Sequence, residues 1–492
     1  MTPAIYFSDF FGVSEQVLAD YGAFNISLIN DLPLFVDPFL LFDSQDPIHT
    51  GLHEEIITYV KYLRDVSIRG ELSIAAMNTL FRFPEVRQNW LGFSRSGNHG
   101  SGLGADFAGA LHKNLNRVLR DFGNETLTSG SHLEKVCLLG NGVGRDHLSD
   151  FTTNLIKGYL LKYTQTFARQ HLAAGHRQIF AVDRVTFDYS TQRWKGARFE
   201  LPCVNGDFVV LTPKAILTKD EAWINRSELL DRFHDIYSSV SDDTLRAQVN
   251  DYFLQRLRED SNQDERREAA AASIEQFPQL LDYYIKDKEE HADEAHQISS
   301  LKVKETEQQF IAQIRALVGG HLAGTAFYSQ QGDSYQEALN RIHFLKDVIE
   351  NNDGYRIFYL NGHPIKREAD LQIMYRLTWF ADQGYDVNRE VNNGRGPVDY
   401  KVSKGSADKT LVEFKLASNS KLRQNLKHQV GVYEAANNTA KSIKVIMYFS
   451  DTELSRTLGI MRDLGLVGRP DVVLIDACSS NKPSASNVTD QS

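Results

Sequence analysis

Cysteine is scarce: 492 residues hold only Cys137, Cys203 and Cys478. They are too scattered for a disulfide framework or a zinc-ligand spacing, and this usage points to a reducing, cytoplasmic compartment. Long hydrophobic runs are missing as well. No stretch of about 18 apolar residues occurs, so no membrane span is expected. The opening Met1-Thr2-Pro3-Ala4-Ile5-Tyr6 has no basic segment followed by an apolar one, so no secretory signal is expected. An overall excess of positive charge is absent too, because the net charge is −10. That balance argues against nucleic acid as a partner of the whole surface.

The composition is nevertheless that of a folded chain, 42% hydrophobic and 24% charged. The length exceeds one ordinary core, so two or three domains are expected. Charge is unevenly spread. Residues 355–476 carry 18 Lys and Arg against 14 Asp and Glu, a local +4 that leaves −14 on the remainder. A basic C-terminal module on an acidic body fits a local phosphate-binding surface, although chance asymmetry between domains would look the same.

Residues 1–258 read as an α+β body with a regulatory or target-recognition role. Asp31 to Phe39 predicts a short strand stopped at a proline. Ile56, Ile57, Val60, Leu63 and Val66 predict a helix over 52–68. A Gly/Ser-rich loop over 94–104 is either an anion cradle or a plain loop. It lacks the Gly-Lys-Ser/Thr ending of a nucleotide loop. Phe107 to Phe122 predicts an amphipathic helix. Val136 to Leu139 predicts a strand, followed by a Gly-rich turn and one long helix capped by Asp146 or Ser149. Asp146, His147 and Asp150 read either as helix-start residues or as a second polar site that senses a ligand. Strands are expected over 179–189, 197–201 and 208–211, with a hairpin signal at Asn205-Gly206-Asp207. Residues 220–258 look helical.

Residues 259–350 read as a helical connector. Its partial apolar stripe (Ile298, Leu301, Val303, Phe310, Ile314, Leu317) suits either self-association into a homo-oligomer or ordinary packing. Residues 479–492 form a Ser/Asn/Pro-rich tail expected to be disordered.

The segment 351–478 carries the chemistry. It predicts a strand at Tyr355 to Leu360 and a helix at Arg367 to Phe380. A strand follows over Gly384 to Val391, and then the turn and strand Gly394-Arg395-Gly396-Pro397-Val398-Asp399-Tyr400. Next comes the strand Leu411-Val412-Glu413-Phe414-Lys415-Leu416. A polar helix over 421–434, an apolar strand over 443–449, a last helix and the strand Val472 to Ile475 complete the domain. Strand side chains alternate, so Glu413 and Lys415 share one face while Val412, Phe414 and Leu416 take the other. Two carboxylates and an ammonium at one sheet edge suit a divalent cation acting on a phosphodiester. Read alone, Glu413 and Lys415 fit an exposed ion pair on a sheet edge better than a catalytic site.

The order α-β-β-β-α-β, with an acidic first helix, resembles the PD-(D/E)xK, or restriction-endonuclease-like, nuclease superfamily over residues 355–450. The resemblance implies a C-terminal α/β domain with a mixed central sheet flanked by helices. It assigns the first-helix acid to Glu368, with Asp370 as the alternative if the helix register is off by two. It assigns the Asp to Asp399, the Glu-x-Lys to Glu413 and Lys415, and the paired helix residues to Gln429 and Tyr433. The family's Pro directly precedes its Asp, whereas Val398 intervenes here. Mg²⁺, with Mn²⁺ as substitute, would be held by Glu368, Asp399, Glu413 and the Phe414 carbonyl. Lys415 would orient or deprotonate the attacking water. Arg395, Lys421, Arg423 and Lys427 would contact the phosphate backbone. The implied activity is a metal-dependent endonuclease, on DNA ahead of RNA. Its body would answer a small-molecule or protein activator, in a setting such as bacterial anti-phage defence. The alternative is an inactive nucleic-acid-binding or ligand-sensing assembly protein.

Overall fold

The computed structural model describes residues 4–92, 103–117, 119, 121–139, 145–258, 260–323, 325, 327, 332–378, 386–388, 400–404, 408–427 and 441–482. Arg395, Asp399, Gln429, Tyr433 and the Gly-rich stretches 94–102 and 140–144 lie outside the described residues. The chain is mixed α/β, with several sheets and many helices.

The body is held by helix α1 (Pro47–Ile68). Asp46 caps it by accepting from the Ile48 N–H, and Pro47 occupies the first turn, where no N–H donor is needed. Ile56, Ile57, Val60 and Leu63 are buried, as their spacing predicts. Helix α2 (Ala105–Arg117) follows. The strand expected at Val136 to Leu139 is instead a helical turn, Lys135–Leu138, with all four residues buried. Four apolar residues have no period that separates strand from helix, and a turn bonds its own backbone. The single long helix is two, α3 (Arg145–Leu155) and α4 (Lys157–His171), broken at Ile156. Ser149 is not a cap. Its Oγ accepts from Val36 N at 2.9 Å and ties α3 to the strand Phe35–Val36.

Strands β1 (Arg177–Asp188) and β2 (Arg193–Val204) pair as a long antiparallel ribbon. Asn205 and Gly206, with φ of 51° and 83°, make the two-residue turn into Asp207–Phe208 that the Asn-Gly pair predicts.

Helices Gln263–Gln276 and Leu280–Glu290 lead to α5 (Ala292–Glu307). Two π-helical turns, Gln308–Ala312 and Val318–Leu322, continue its path. The apolar stripe splits. Val303, Phe310, Ile314 and Leu317 enter the core, while Ile298 and Leu301 remain 45% and 54% exposed. Most of the stripe is therefore packing against the body, not an open association face.

The last domain begins earlier than expected. Helix α6 (Ser334–Asn351), assigned to the connector from sequence, lies against the C-terminal sheet. The strand expected at Tyr355 to Leu360 is a 3₁₀ turn, Gly354–Phe358, with a two-residue strand Tyr359–Leu360. Helix α7 (Glu368–Thr378) follows. Strands β3 (Asp386–Asn388), β4 (Tyr400–Lys404), β5 (Asp408–Leu416), β6 (Ser442–Tyr448) and β7 (Val472–Asp476) form one sheet. Its order is β7-β6-β5-β4-β3. β3–β4 and β4–β5 pair antiparallel; β5–β6 and β6–β7 pair parallel. Helix α8 (Asp451–Asp463) packs against β6.

The central strands are buried on both faces, which is why β6 reads as almost continuously apolar. Val412, Phe414, Leu416, Val445 and Met447 join α6 and α7 in a core that runs from Ile5 to Ala477. Ile446 and Tyr448 face the opposite way, onto Leu422, Leu426 and Ile460. The start of the tail is ordered. Ser479 N donates to Tyr359 Oη at 3.1 Å and Lys482 pairs with Asp476 at 3.3 Å. Among the described residues, no helix is long and apolar enough to cross a membrane.

Candidate active site

Alternation along β5 places Phe414 on the core face, its ring centroid 4.2 Å from that of Tyr375 on α7. Glu413 and Lys415 therefore point to the other face. Their side chains are 8% and 9% exposed. A covered sheet face ordinarily carries apolar residues. Ionised groups there lose hydration worth several kcal/mol and persist only when paired. They are paired. Lys415 Nζ lies 3.2 Å from Glu413 Oε1 and 3.4 Å from Glu368 Oε2.

Glu368 arrives from the first turn of α7, forty-seven residues upstream of Lys415 in sequence. Its Oε1 accepts from the Leu416 N–H at 3.2 Å and from Asn419 Nδ2 at 2.7 Å. One carboxylate thus brackets the end of β5, the following turn and the Lys415 ammonium. Asn419 was missed from sequence. Its Oδ1 accepts from Lys421 N at 2.8 Å, a local turn that the Asn-x-Lys order makes legible. Its bond to Glu368 is long-range and leaves no local signal. Arg456 of α8 fixes the same turn by donating to Asn419 O at 2.9 Å. Lys444 was also missed. It is buried on β6, in register with Glu413 and 3.9 Å from Asp471.

Asp370 is placed elsewhere. Two residues on, helical rotation turns it away from Glu368, onto Arg367 at 2.9 Å. Arg367 in turn pairs with Asp220 of the body. Of the two acids weighed for this position, Glu368 is the one that meets Lys415.

Among the presumed phosphate contacts, Lys421 and Lys427 are exposed at the two ends of the helical stretch 422–427. Arg423 is turned to Asp463 of α8 at 2.8 Å, an exposed pair of little energetic weight. Leu422 and Leu426 face inward and dictate these directions. The Phe414 carbonyl belongs to a residue fixed in β5 directly between Glu413 and Lys415. The two carboxylates, Glu413 and Glu368, are of the ligand type that a hard divalent cation takes. Carboxylate oxygens of Glu413 and Glu368 converge on one ammonium, so the site already holds positive charge between acids. Among the described residues, which exclude Asp399, no group of three or more His, Cys, Asp or Glu side chains is arranged to hold a metal.

At the start of α3, Asp146 lies close enough to Asp150 to act on its carboxyl. The His147 ring stacks on Phe107, centroids 5.8 Å apart. Asp150 is largely buried, and burial, then Glu85 and Asp146, raise its carboxyl from 3.8 to about 8. Folding therefore favours the protonated acid. Its stabilising contribution is present below pH 3.8 and is lost as pH rises through about 8. Asp150→Asn, which keeps the shape and removes the titration, should flatten the fall in Tm between pH 5 and pH 9. Thermal melts across that range check this; a slope unchanged from the parent protein would refute the assignment.

Residues 12–225 match a domain of unknown function (DUF8370), and residues 334–451 match a second domain of unknown function (DUF8371). The second match begins where α6 begins and contains Glu368, Glu413 and Lys415. No curated protein and no solved structure matches the chain.

Proposed function

We propose that the chain is a metal-dependent endonuclease of the PD-(D/E)xK type, acting on DNA ahead of RNA in the cytoplasm under control of its N-terminal body. The observation that carries this reading is the convergence of Glu368, Glu413 and Lys415 from two elements onto one buried point. The strand order, with two parallel pairs followed by two antiparallel ones, supports the same reading.

Glu413, with Asp399 and the Phe414 carbonyl, would hold Mg²⁺ or Mn²⁺. Such an ion, when bound, lowers the pKa of a coordinated water and polarises the phosphate. The chain's own groups do the rest. Lys415 orients the attacking water or neutralises charge growing on the phosphate oxygens. Glu368 fixes Lys415 and the Asn419 turn, so it acts first as a positioning acid. Gln429 and Tyr433 would position Lys415 or the substrate backbone. Lys421, Lys427 and Arg395 would contact neighbouring phosphates, and Arg423 would do so on leaving Asp463. Anti-phage defence is the setting this architecture suits. A homo-oligomer and an activating ligand or protein remain part of the proposal.

The test is incubation of the purified protein with plasmid, linear DNA and RNA, with and without Mg²⁺ or Mn²⁺. Metal-dependent cleavage is expected, and its absence on all three substrates would overturn the reading. The two acids of α7 should then separate. Glu368→Ala is expected to lower the cleavage rate by about 10²-fold, the scale for a positioned charged group at a reacting centre. Asp370→Asn should leave the rate within a few-fold while lowering Tm. The opposite ranking would move the site to Asp370.

A further inference from the structure

On the side of α7 away from Glu413 lies an open cavity of about 550 Å³. It sits where three parts of the chain meet. Lys219 and Asp220 come from the body, Lys302, Glu305 and Gln309 from α5 and its π-helical continuation, and Leu360, Asn361, residues 363–367 and Asp370 from the last domain. We propose that this cavity binds a small phosphate-bearing molecule and passes its occupancy to Glu368 through α7. The binding half stands alone; the coupling half rests on the nuclease reading.

Lys219 carries the argument. It is a buried ammonium, 6% exposed. Among the described residues its only hydrogen bond is to Gln309 Oε1 at 3.3 Å, with the Phe310 ring 5.3 Å away. That hydrogen-bond partner is neutral, and burial lowers the Lys219 pKa although Asp370, Asp220 and Glu305 lie near enough to oppose the shift. The acids of the cavity are engaged with other donors. Asp220 and Asp370 hold Arg367, and Glu305 accepts from Asn361 Nδ2 at 3.3 Å. Lys302 stands 3.7 Å from Asp220 and 3.8 Å from Glu305, and Lys366 is exposed on the rim. Lining cations outnumber lining acids, four to three. An anion entering there would complete the shell of Lys219, with Lys302 and Arg367 as further donors. The volume suits a mononucleotide-sized ligand and excludes a duplex.

The path to the active residues is short. Arg367 directly precedes Glu368, and Asp370 follows it in the first turn of α7. Gln309, the partner of Lys219, also reaches Met374 on α7, Nε2 to Sδ 3.9 Å. It projects from a π-helical turn, a geometry that recurs at functional sites. A ligand that draws on Lys219 and Arg367 therefore pulls on the same turn that presents Glu368 to Lys415.

Isothermal titration of the full-length protein with inorganic phosphate, and separately with adenosine 5′-monophosphate, tests the binding half without any cleavage. Saturable binding of either probe is expected, retained in Lys415→Ala and weakened at least tenfold in Lys219→Met. Binding of both marks the phosphate group as the ligand; binding of the nucleotide alone adds contacts from sugar and base. Lys366→Ala, exposed on the rim, gives a second and smaller loss should Lys219→Met misfold by circular dichroism. No saturable binding at millimolar probe overturns the site. So does binding that Lys415→Ala abolishes and both cavity variants keep. A failed cleavage assay beside intact, Lys219-dependent binding would reject the nuclease and spare the cavity.

Discussion

Lys415→Ala is expected to fold, to bind DNA, and to lose Mg²⁺-dependent cleavage by about 10³-fold, as removal of a preorganised charge from a reacting centre does. Fold retention follows from the surroundings. Deleting the ammonium leaves Glu413 facing Glu368 without the cation between them. Glu368 keeps its bonds to Leu416 N and Asn419, so the end of β5 stays in place. The loss should therefore appear in kcat, with substrate affinity little changed. Cleavage time courses beside filter binding of the same DNA measure both. A variant that cuts at the parent rate would remove Lys415 from the chemistry, and one that no longer binds would recast it as a substrate anchor.

The second large effect concerns stability. Arg341 of α6 is wholly buried, and its Nε lies 2.7 Å from Glu337 Oε1, itself 1% exposed. The guanidinium also lies 5.1 Å from the centre of the Phe327 ring. Such a pair adds little over an apolar replacement, yet breaking it strands a charge. Arg341→Ala is expected to cost about 3–5 kcal/mol. Replacing both partners with apolar residues should recover much of that loss. Urea melts of the single and double variants check it; a single variant within about 1 kcal/mol of the parent would contradict the burial. The effect matters beyond α6, because this helix packs across the sheet that carries Glu413 and Lys415.

The parts of the fold legible from sequence are those governed by near neighbours. Alternation on β5 separates Phe414 from Glu413 and Lys415, because strand geometry leaves no other choice. Asn205-Gly206 specifies its turn because both residues accept positive φ. The failures are long-range. Val136 to Leu139 is apolar enough for a strand, but nothing local distinguishes that from one buried helical turn. Ile298 and Leu301 share a spacing with Val303, yet the body covers only the latter. The choice of Glu368 over Asp370 is a matter of helix phase, and Arg367 with Asp220 settles the direction in which Asp370 points. The cavity around Lys219 has no sequence signature, because its walls come from three separated stretches.

The core that joins residues from Ile5 to Ala477 has a consequence in time. The chain is made from its N-terminus, at roughly 5–20 residues per second. The connector faces that bury Phe310, Ile314 and Leu317 emerge well before β5 and β6. β6 gains its outer neighbour only when β7, one of the last ordered elements, leaves the ribosome. Glu368, Glu413 and Lys415 lie on α7 and β5, so the residues of the cluster emerge after those of the body. A product that stops before β5 would carry the residues of the body without Glu413 and Lys415, and so, under the nuclease reading proposed above, without the groups assigned to cleavage.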